Sequence, residues 1–313
     1  MVRAAKKLYK ITNWAKYNES LVQRGDITFW FSDETIRQWE HPNDGIKVGR
    51  PFVYSDTAIE TMLALRELFR LPYRQTEGLG RALIQLMQVD VKIPDYTSLA
   101  KRAVKMNVSL DLEKHQGSID IVVDSTGLKV YGEGEWKTRI HGRQKHRTWR
   151  KLHLAVDPET QEIVAELLLE NTTHDSETVD DLTDSIDDDI DRFFGDGAYD
   201  TWDVYETLQE RSVDAIIPPR KGAKIKQHGN SSKEPLARDV ALRTIRRLGR
   251  KKWKEKIGYH IRSLAETAMH RFKNAFGDKL KNRLLAAQQT EAAIRTKILN
   301  HFTKLGLPEF TWS

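Results

Sequence analysis

Residues 118–127 read SIDIVVDSTG. Ile119, Ile121, Val122 and Val123 form a near-continuous apolar run, which a half-exposed strand would interrupt at every second position. Such a run predicts a strand buried on both faces. It ends at Asp124, just before Gly127. A carboxylate there is costly unless it is paired or bound to a cation. The position alone decides little, because an aspartate at a strand end is commonly a turn cap. Asp120 shares the strand and the side with Asp124, so either could be a ligand.

The chain after this strand keeps the same texture. LKVYGEGEW (128–136) predicts a second strand following a glycine turn, and WRKLHLAVDPETQEIVAELLLE (149–170) predicts two more around Asp157–Pro158–Glu159–Thr160. In DSETVDDLTDSIDDDID (175–191), nine acids and no base surround Val179, Leu182 and Ile186 at helical spacing, the pattern of a solvated helix face. Asp187–Asp189 lack the glycine and spacing of a calcium loop. DRFFGDGAYD (191–200) predicts a strand ending in the glycine-flanked Asp196. TWDVYETLQER then predicts a helix, DAIIPP a short strand stopped by prolines, and residues around 284–304 a last helix. This order predicts a mixed α/β domain of ribonuclease-H-like arrangement, with the strand that carries Asp124 and the strand that leads to Asp196 side by side at the centre of the sheet. Asp124 and Asp196 would then meet.

Upstream, residues 1–115 predict a mainly helical region, with 116–313 as the α/β domain. SDETIRQWE (32–40) carries a capping signature, and SDTAIETMLALRELFRL (55–71) is amphipathic. Two helices within 73–106, the second bearing Lys101, Arg102 and Lys105, fit a helix-turn-helix, a pattern that helical bundles also produce.

Downstream, YHIRSLAETAMHRFK (259–273) poses a question of its own. On a wheel of about 100° per residue with Arg262 at zero, Glu266 falls near 40°, Lys273 near 20° and Tyr259 near 60°. Ile261, Leu264, Ala265, Ala268, Met269, Phe272 and Phe276 occupy an adjoining apolar arc. An ionisable stripe thus runs beside the buried face. Glu266 becomes the third candidate carboxylate with Asp124 and Asp196. Three convergent carboxylates without cysteine select a hard cation, Mg2+ or Mn2+.

Composition narrows the partners. The 313 residues include no cysteine, which excludes disulfides and thiolate zinc sites and fits a reducing cytosol. No apolar run approaches the length of a membrane span, and the basic N-terminus MVRAAKKLYK lacks the apolar stretch of a secretory leader. The net charge is +6, yet residues 218–256 alone hold fourteen Lys/Arg against three Asp/Glu, so the rest of the chain is net acidic. A second run, KTRIHGRQKHRTWRK (137–151), has seven Lys/Arg and no acid. Concentrated basic segments of this kind point to a phosphate backbone, and the candidate contacts are Arg143, Lys145 and Arg147 in one and Arg246, Arg247 and Arg250 in the other. His153 reads as a satisfied sheet residue and His174 as a loop residue.

Tyr259, Arg262, Glu266 and Lys273 reproduce the Y-(2)-R-(3)-E-(6)-K signature of bacterial insertion-sequence DDE transposases. VDSTGLKVYGEGEW, TWRKLHLAVD, GDGAYDT, IPPRKGAK and GYHIRSLAETAMHRFK resemble, in order, blocks of the insertion-sequence-five family. The resemblance is dense from about 118 to 280. It implies a ribonuclease-H-like catalytic domain with Asp124, Asp196 and Glu266 as a metal-binding triad. It also implies that Tyr259, Arg262 and Lys273 lie along transposon-end phosphates. The implied activity is hydrolysis at the element ends followed by transfer of the freed 3′-hydroxyl to target DNA. Mg2+ would be the cofactor, with Mn2+ able to substitute. Double-stranded DNA would be the partner, a homodimer or higher oligomer the working form, and the bacterial cytoplasm and nucleoid the location. A hydrolysis-only nuclease and a domesticated DNA-binding repressor are the competing readings.

Overall fold

In a computed structural model, residues 9–43, 51–130, 149–228 and 234–312 are described. The chain divides into two compact units, Met1–Arg102 with Lys297–Ser313, and Ala103–Thr296.

The first unit begins with β1 (Tyr9–Ile11) and continues through α1 (Trp14–Gln23), α2 (Asp33–Arg37), α3 (Asp56–Leu68), α4 (Tyr73–Met87) and α5 (Tyr96–Arg102). Serine caps set two of the starts. The Ser32 hydroxyl accepts from the Thr35 amide at 3.2 Å, and the Ser55 hydroxyl from the Ala58 amide at 3.1 Å. Ile59, Met62 and Leu65 of α3 are fully buried, each contributing about 1.5–3 kcal/mol of apolar transfer.

The second unit runs β2 (Ile119–Val130), β3 (Trp149–Val156), β4 (Ile163–Glu170), α6 (Val179–Asp184), β5 (Ile190–Phe194), α7 (Trp202–Glu210), β6 (Asp214–Ile216), α8 (Ala237–Leu248), α9 (Arg250–Lys256), α10 (Ser263–Phe276) and β7 (Lys279–Leu280). Next comes α11 (Leu285–Leu305), whose residues from Lys297 onward belong to the first unit. There β8 (Phe310–Trp312) pairs antiparallel with β1.

The large sheet has the order β4-β3-β2-β5-β6, with β7 pairing the far end of β2. β3 is antiparallel to both of its neighbours, while β2, β5 and β6 are parallel. This is the ribonuclease-H-like mixed sheet expected from the element order, with the first and fourth strands adjacent. β2 is buried on both sides, as its apolar run requires. Ile121 and Val123 join a core with Phe193, Tyr205 and Leu208, while α10 packs against β2 and β3.

Several expectations need correction. Leu128–Val130 do not start a second strand; they extend β2, and residues 131–136 lie outside the described residues. Gly127 makes no turn. It stays in the ladder opposite Lys151, where a Cβ would come within 3.1 Å of the Trp149 ring, so the glycine serves close approach. The acidic run forms a 3-10 turn over Asp175–Thr178 and the short α6 rather than one long helix. The basic 218–256 segment holds two helices, α8 and α9, where no element was expected.

Candidate active site

The register of β2 and β5 brings two carboxylates together. Their last paired residues are Val122 and Phe194, and two positions further on stand Asp124 and Asp196. The charge on Asp196 helps to raise the pKa of Asp124, although desolvation by burial is the larger cause. Asp124 is 22% exposed. Its Oδ1 accepts from the Ser125 amide at 2.9 Å, and its Oδ2 accepts from Arg262 Nη1 at 3.1 Å. Asp196 is also the turn cap that a strand-end aspartate commonly is, with Oδ1 accepting from the Ala198 amide at 2.7 Å. Asp120 is accounted for differently, since it pairs with Arg192, whose Nε lies 2.9 Å from its Oδ1.

The third wall comes from α10 and the turn before it. Gly258, at φ +67°, closes α9 with a left-handed residue that a side chain would strain. The chain then makes a 3-10 turn over Tyr259–Arg262 before α10 begins at Ser263. The wheel drawn from the sequence therefore does not hold for Tyr259. Its ring is only 8% exposed, lies 6.4 Å from that of Trp253, and sits under Lys254 Nζ. Its hydroxyl donates to the Gly195 carbonyl at 3.1 Å, next to Asp196. Burial pushes the phenol pKa up to about 12, so the donor keeps its proton.

Farther along, the expected face holds. Ala265, Ala268, Met269, Phe272 and Phe276 are buried. Arg262 pairs through Nη1 with Asp124 and through Nη2 with Glu266, which is 56% exposed. Lys273 Nζ donates to Thr126 Oγ1 at 2.6 Å. Thr126 escaped the sequence reading, although alternation puts it on the same strand face as Asp124.

The remaining candidate residues divide. Arg246 and Arg247 are exposed on the last turn of α8, whereas Arg250 is half-buried and donates to the Pro219 carbonyl at 2.7 Å. Arg143, Lys145 and Arg147 lie outside the described residues. His174 sits in a loop capping the Asp175–Thr178 turn. His153 is not the satisfied sheet residue expected. It is fully buried, neither ring nitrogen has a hydrogen-bond partner among the described residues, and Asp175 Oδ1 stands 3.5 Å from its Nδ1. Burial holds the imidazole near pKa 4, so it is neutral. The Tyr199 hydroxyl, also buried, likewise lacks a partner among the described residues.

A ribonuclease-H-like sheet whose two adjacent central strands each carry a carboxylate two residues past their last mutual pair presents these acidic groups side by side. Two family models, both described as a transposase DDE domain, match this chain, one over residues 115–301 and the other over residues 22–133. The chain belongs to the family of transposase DDE domains and is a transposase. It is similar also to a piggyBac transposase solved as a synaptic complex with hairpin DNA, at 9% identity and a TM-score of 0.35, over 95% of this chain and 78% of that one.

Transposase DDE domains generally use divalent metal ions. The donor chemistry here suits one: Asp124, Asp196 and Glu266 offer carboxylate oxygens, the ligands that hard cations take. A cation, the Arg262 guanidinium, already joins Asp124 to Glu266. As placed, no three His, Asp or Glu side chains among the described residues surround one point closely enough to hold an ion.

Proposed function

We propose that the chain is a DDE transposase of the insertion-sequence-five type. It binds terminal inverted repeats, hydrolyses the phosphodiester at the element ends, and joins the freed 3′-hydroxyl to target DNA. The observation that carries this reading is the placement of Asp124 beside Asp196, with Glu266 linked to Asp124 through one guanidinium. Asp124, Asp196 and Glu266 hold Mg2+, with Mn2+ able to substitute. When bound, such ions activate an attacking oxygen and stabilise the leaving one. The chain's own residues do the rest. Tyr259 fixes the Gly195 carbonyl and with it the Asp196 turn. Lys273, anchored at Thr126, lies along the path of the end DNA. Arg246, Arg247 and Arg250, with Arg143, Lys145 and Arg147 in the other basic run, hold phosphates. The helical region within residues 1–115, including the pair α4–α5, reads the repeats. A homodimer or higher oligomer brings the two ends together in the bacterial nucleoid.

Sequencing the DNA flanking the gene supplies the end sequence for a joining assay with a pre-cleaved end and a target plasmid. Joined product is expected with Mg2+ or Mn2+, lost in excess chelator and in Asp124→Asn, Asp196→Asn and Glu266→Gln. Cleavage without joining would make the protein a hydrolytic nuclease. Biological activity untouched by all three substitutions would make it a DNA-binding repressor.

A further inference from the structure

Arg262 holds a position that a metal-binding site should leave to the metal. Its two terminal nitrogens are split between two carboxylates, Nη1 on Asp124 Oδ2 and Nη2 on Glu266. The other Asp124 oxygen is engaged by the Ser125 amide. The guanidinium and Asp124 are both largely sheltered, at 18% and 22% exposure, which strengthens that pair, whereas the exposed Glu266 is held more weakly. A divalent ion bound by Asp124 and Glu266 would compete with Arg262 for Asp124 Oδ2 and Glu266 Oε1, and would bring a second positive charge against the first. Each cation therefore weakens the hold of the other.

We infer that Arg262 is a displaceable internal counter-ion. In DNA-free protein it occupies the carboxylates and keeps divalent metal weakly bound. A DNA phosphate, which a planar guanidinium can take with two parallel hydrogen bonds, draws it off and lets the triad close on metal. Because Arg262 serves either the carboxylates or the phosphate, metal binding and DNA binding are linked, and each tightens the other by the same factor. The hydrolytic centre is thereby armed only on DNA. This inference rests on the triad reading above and adds its regulation.

Lys273 provides the control. It carries the same charge near the same strand but touches Thr126 rather than a triad carboxylate. The experiment is a Mn2+ titration of full-length protein followed by electron paramagnetic resonance, with and without a duplex bearing the element's own terminal repeat. In DNA-free protein, Arg262→Gln is expected to tighten Mn2+ at least about tenfold, and Lys273→Gln less than about threefold. Arg262→Lys, which keeps the charge but cannot fork between two carboxylates, should fall between wild type and Arg262→Gln. The duplex is expected to tighten Mn2+ on wild type and to add little on Arg262→Gln. Circular dichroism of each variant establishes that it is folded. Equal effects of Arg262→Gln and Lys273→Gln, or a duplex effect that survives Arg262→Gln, would overturn the counter-ion role and leave the triad standing. Mn2+ binding indifferent to Asp124→Asn and Glu266→Gln would instead overturn the triad itself, and the inference with it.

Discussion

Asp124 is a carboxylate that works against the fold that presents it. Burial and the neighbouring charge of Asp196 outweigh the help from Arg262 and the Ser125 amide, so its pKa stands above the ordinary carboxylate value. A carboxyl with a raised folded pKa binds its proton more tightly folded than unfolded. The protein therefore loses stability as pH rises from the ordinary carboxylate range through that raised value. Asp124→Asn removes the ionisation. It is expected to abolish strand joining while leaving the melting temperature at pH 7 unchanged or higher, and to flatten the acid side of the stability profile. Calorimetry across pH checks this, and a clear loss of stability at pH 7 would assign Asp124 a structural role. Tyr259 gives the opposite case. Tyr259→Phe leaves a buried Gly195 carbonyl without its donor, at a cost of about 1–3 kcal/mol. Both stability and joining should fall. Unchanged stability would mean that the hydroxyl is not needed at Gly195.

Among the elements, β2 was legible in the sequence because a strand buried on both faces leaves a near-continuous apolar run, and β5 because Phe193 and Phe194 lead into a glycine-flanked aspartate that stands out. Their adjacency followed from the element order. Other features hid for physical reasons. Gly127 looks like a turn, yet it is a site of contact with Trp149, a residue more than twenty positions away. The wheel over 259–273 misplaced Tyr259 because the entry turn is 3-10, set by Gly258, and one turn of altered pitch is invisible in residue spacing. His153 lies in a strand that suggested a satisfied sheet residue, whereas the acid that faces its Nδ1, Asp175, comes from another element. Helices α8 and α9 were masked by their charge. Their apolar anchors, Ala241, Leu242 and Trp253, are few among the basic residues. The exposed end of α8 yields a further test. Arg246→Ala with Arg247→Ala should weaken DNA binding and reduce the slope of log affinity against log salt by up to about 2. An unchanged slope would remove α8 from the interface.

For the molecule as a whole, the two ends of the chain belong to the same unit. The closing residues EFTWS, which say nothing by composition, supply β8 and pair with β1. The Thr12 amide donates to Glu309 O at 2.9 Å, and Asn13 Nδ2 to Leu307 O at 2.9 Å. Deleting residues 306–313 should therefore loosen the N-terminal segment, seen as faster proteolysis around residues 9–24 while the β2–β6 sheet stays protected. Equal protection in both forms would mean that the pairing contributes little. No described helix is long and apolar enough to cross a membrane. The basic surplus is concentrated in two segments of an otherwise net acidic chain, which suits a protein that meets a polyanion at chosen places.

Crystals of the protein on its own end DNA, soaked in Mn2+ and measured at the manganese edge, put the three carboxylates to direct trial. Anomalous peaks are expected beside Asp124 and Asp196, with Glu266 turned from Arg262 onto the metal. Manganese bound elsewhere, or Glu266 still paired with Arg262 in the metal-loaded complex, would contradict the triad.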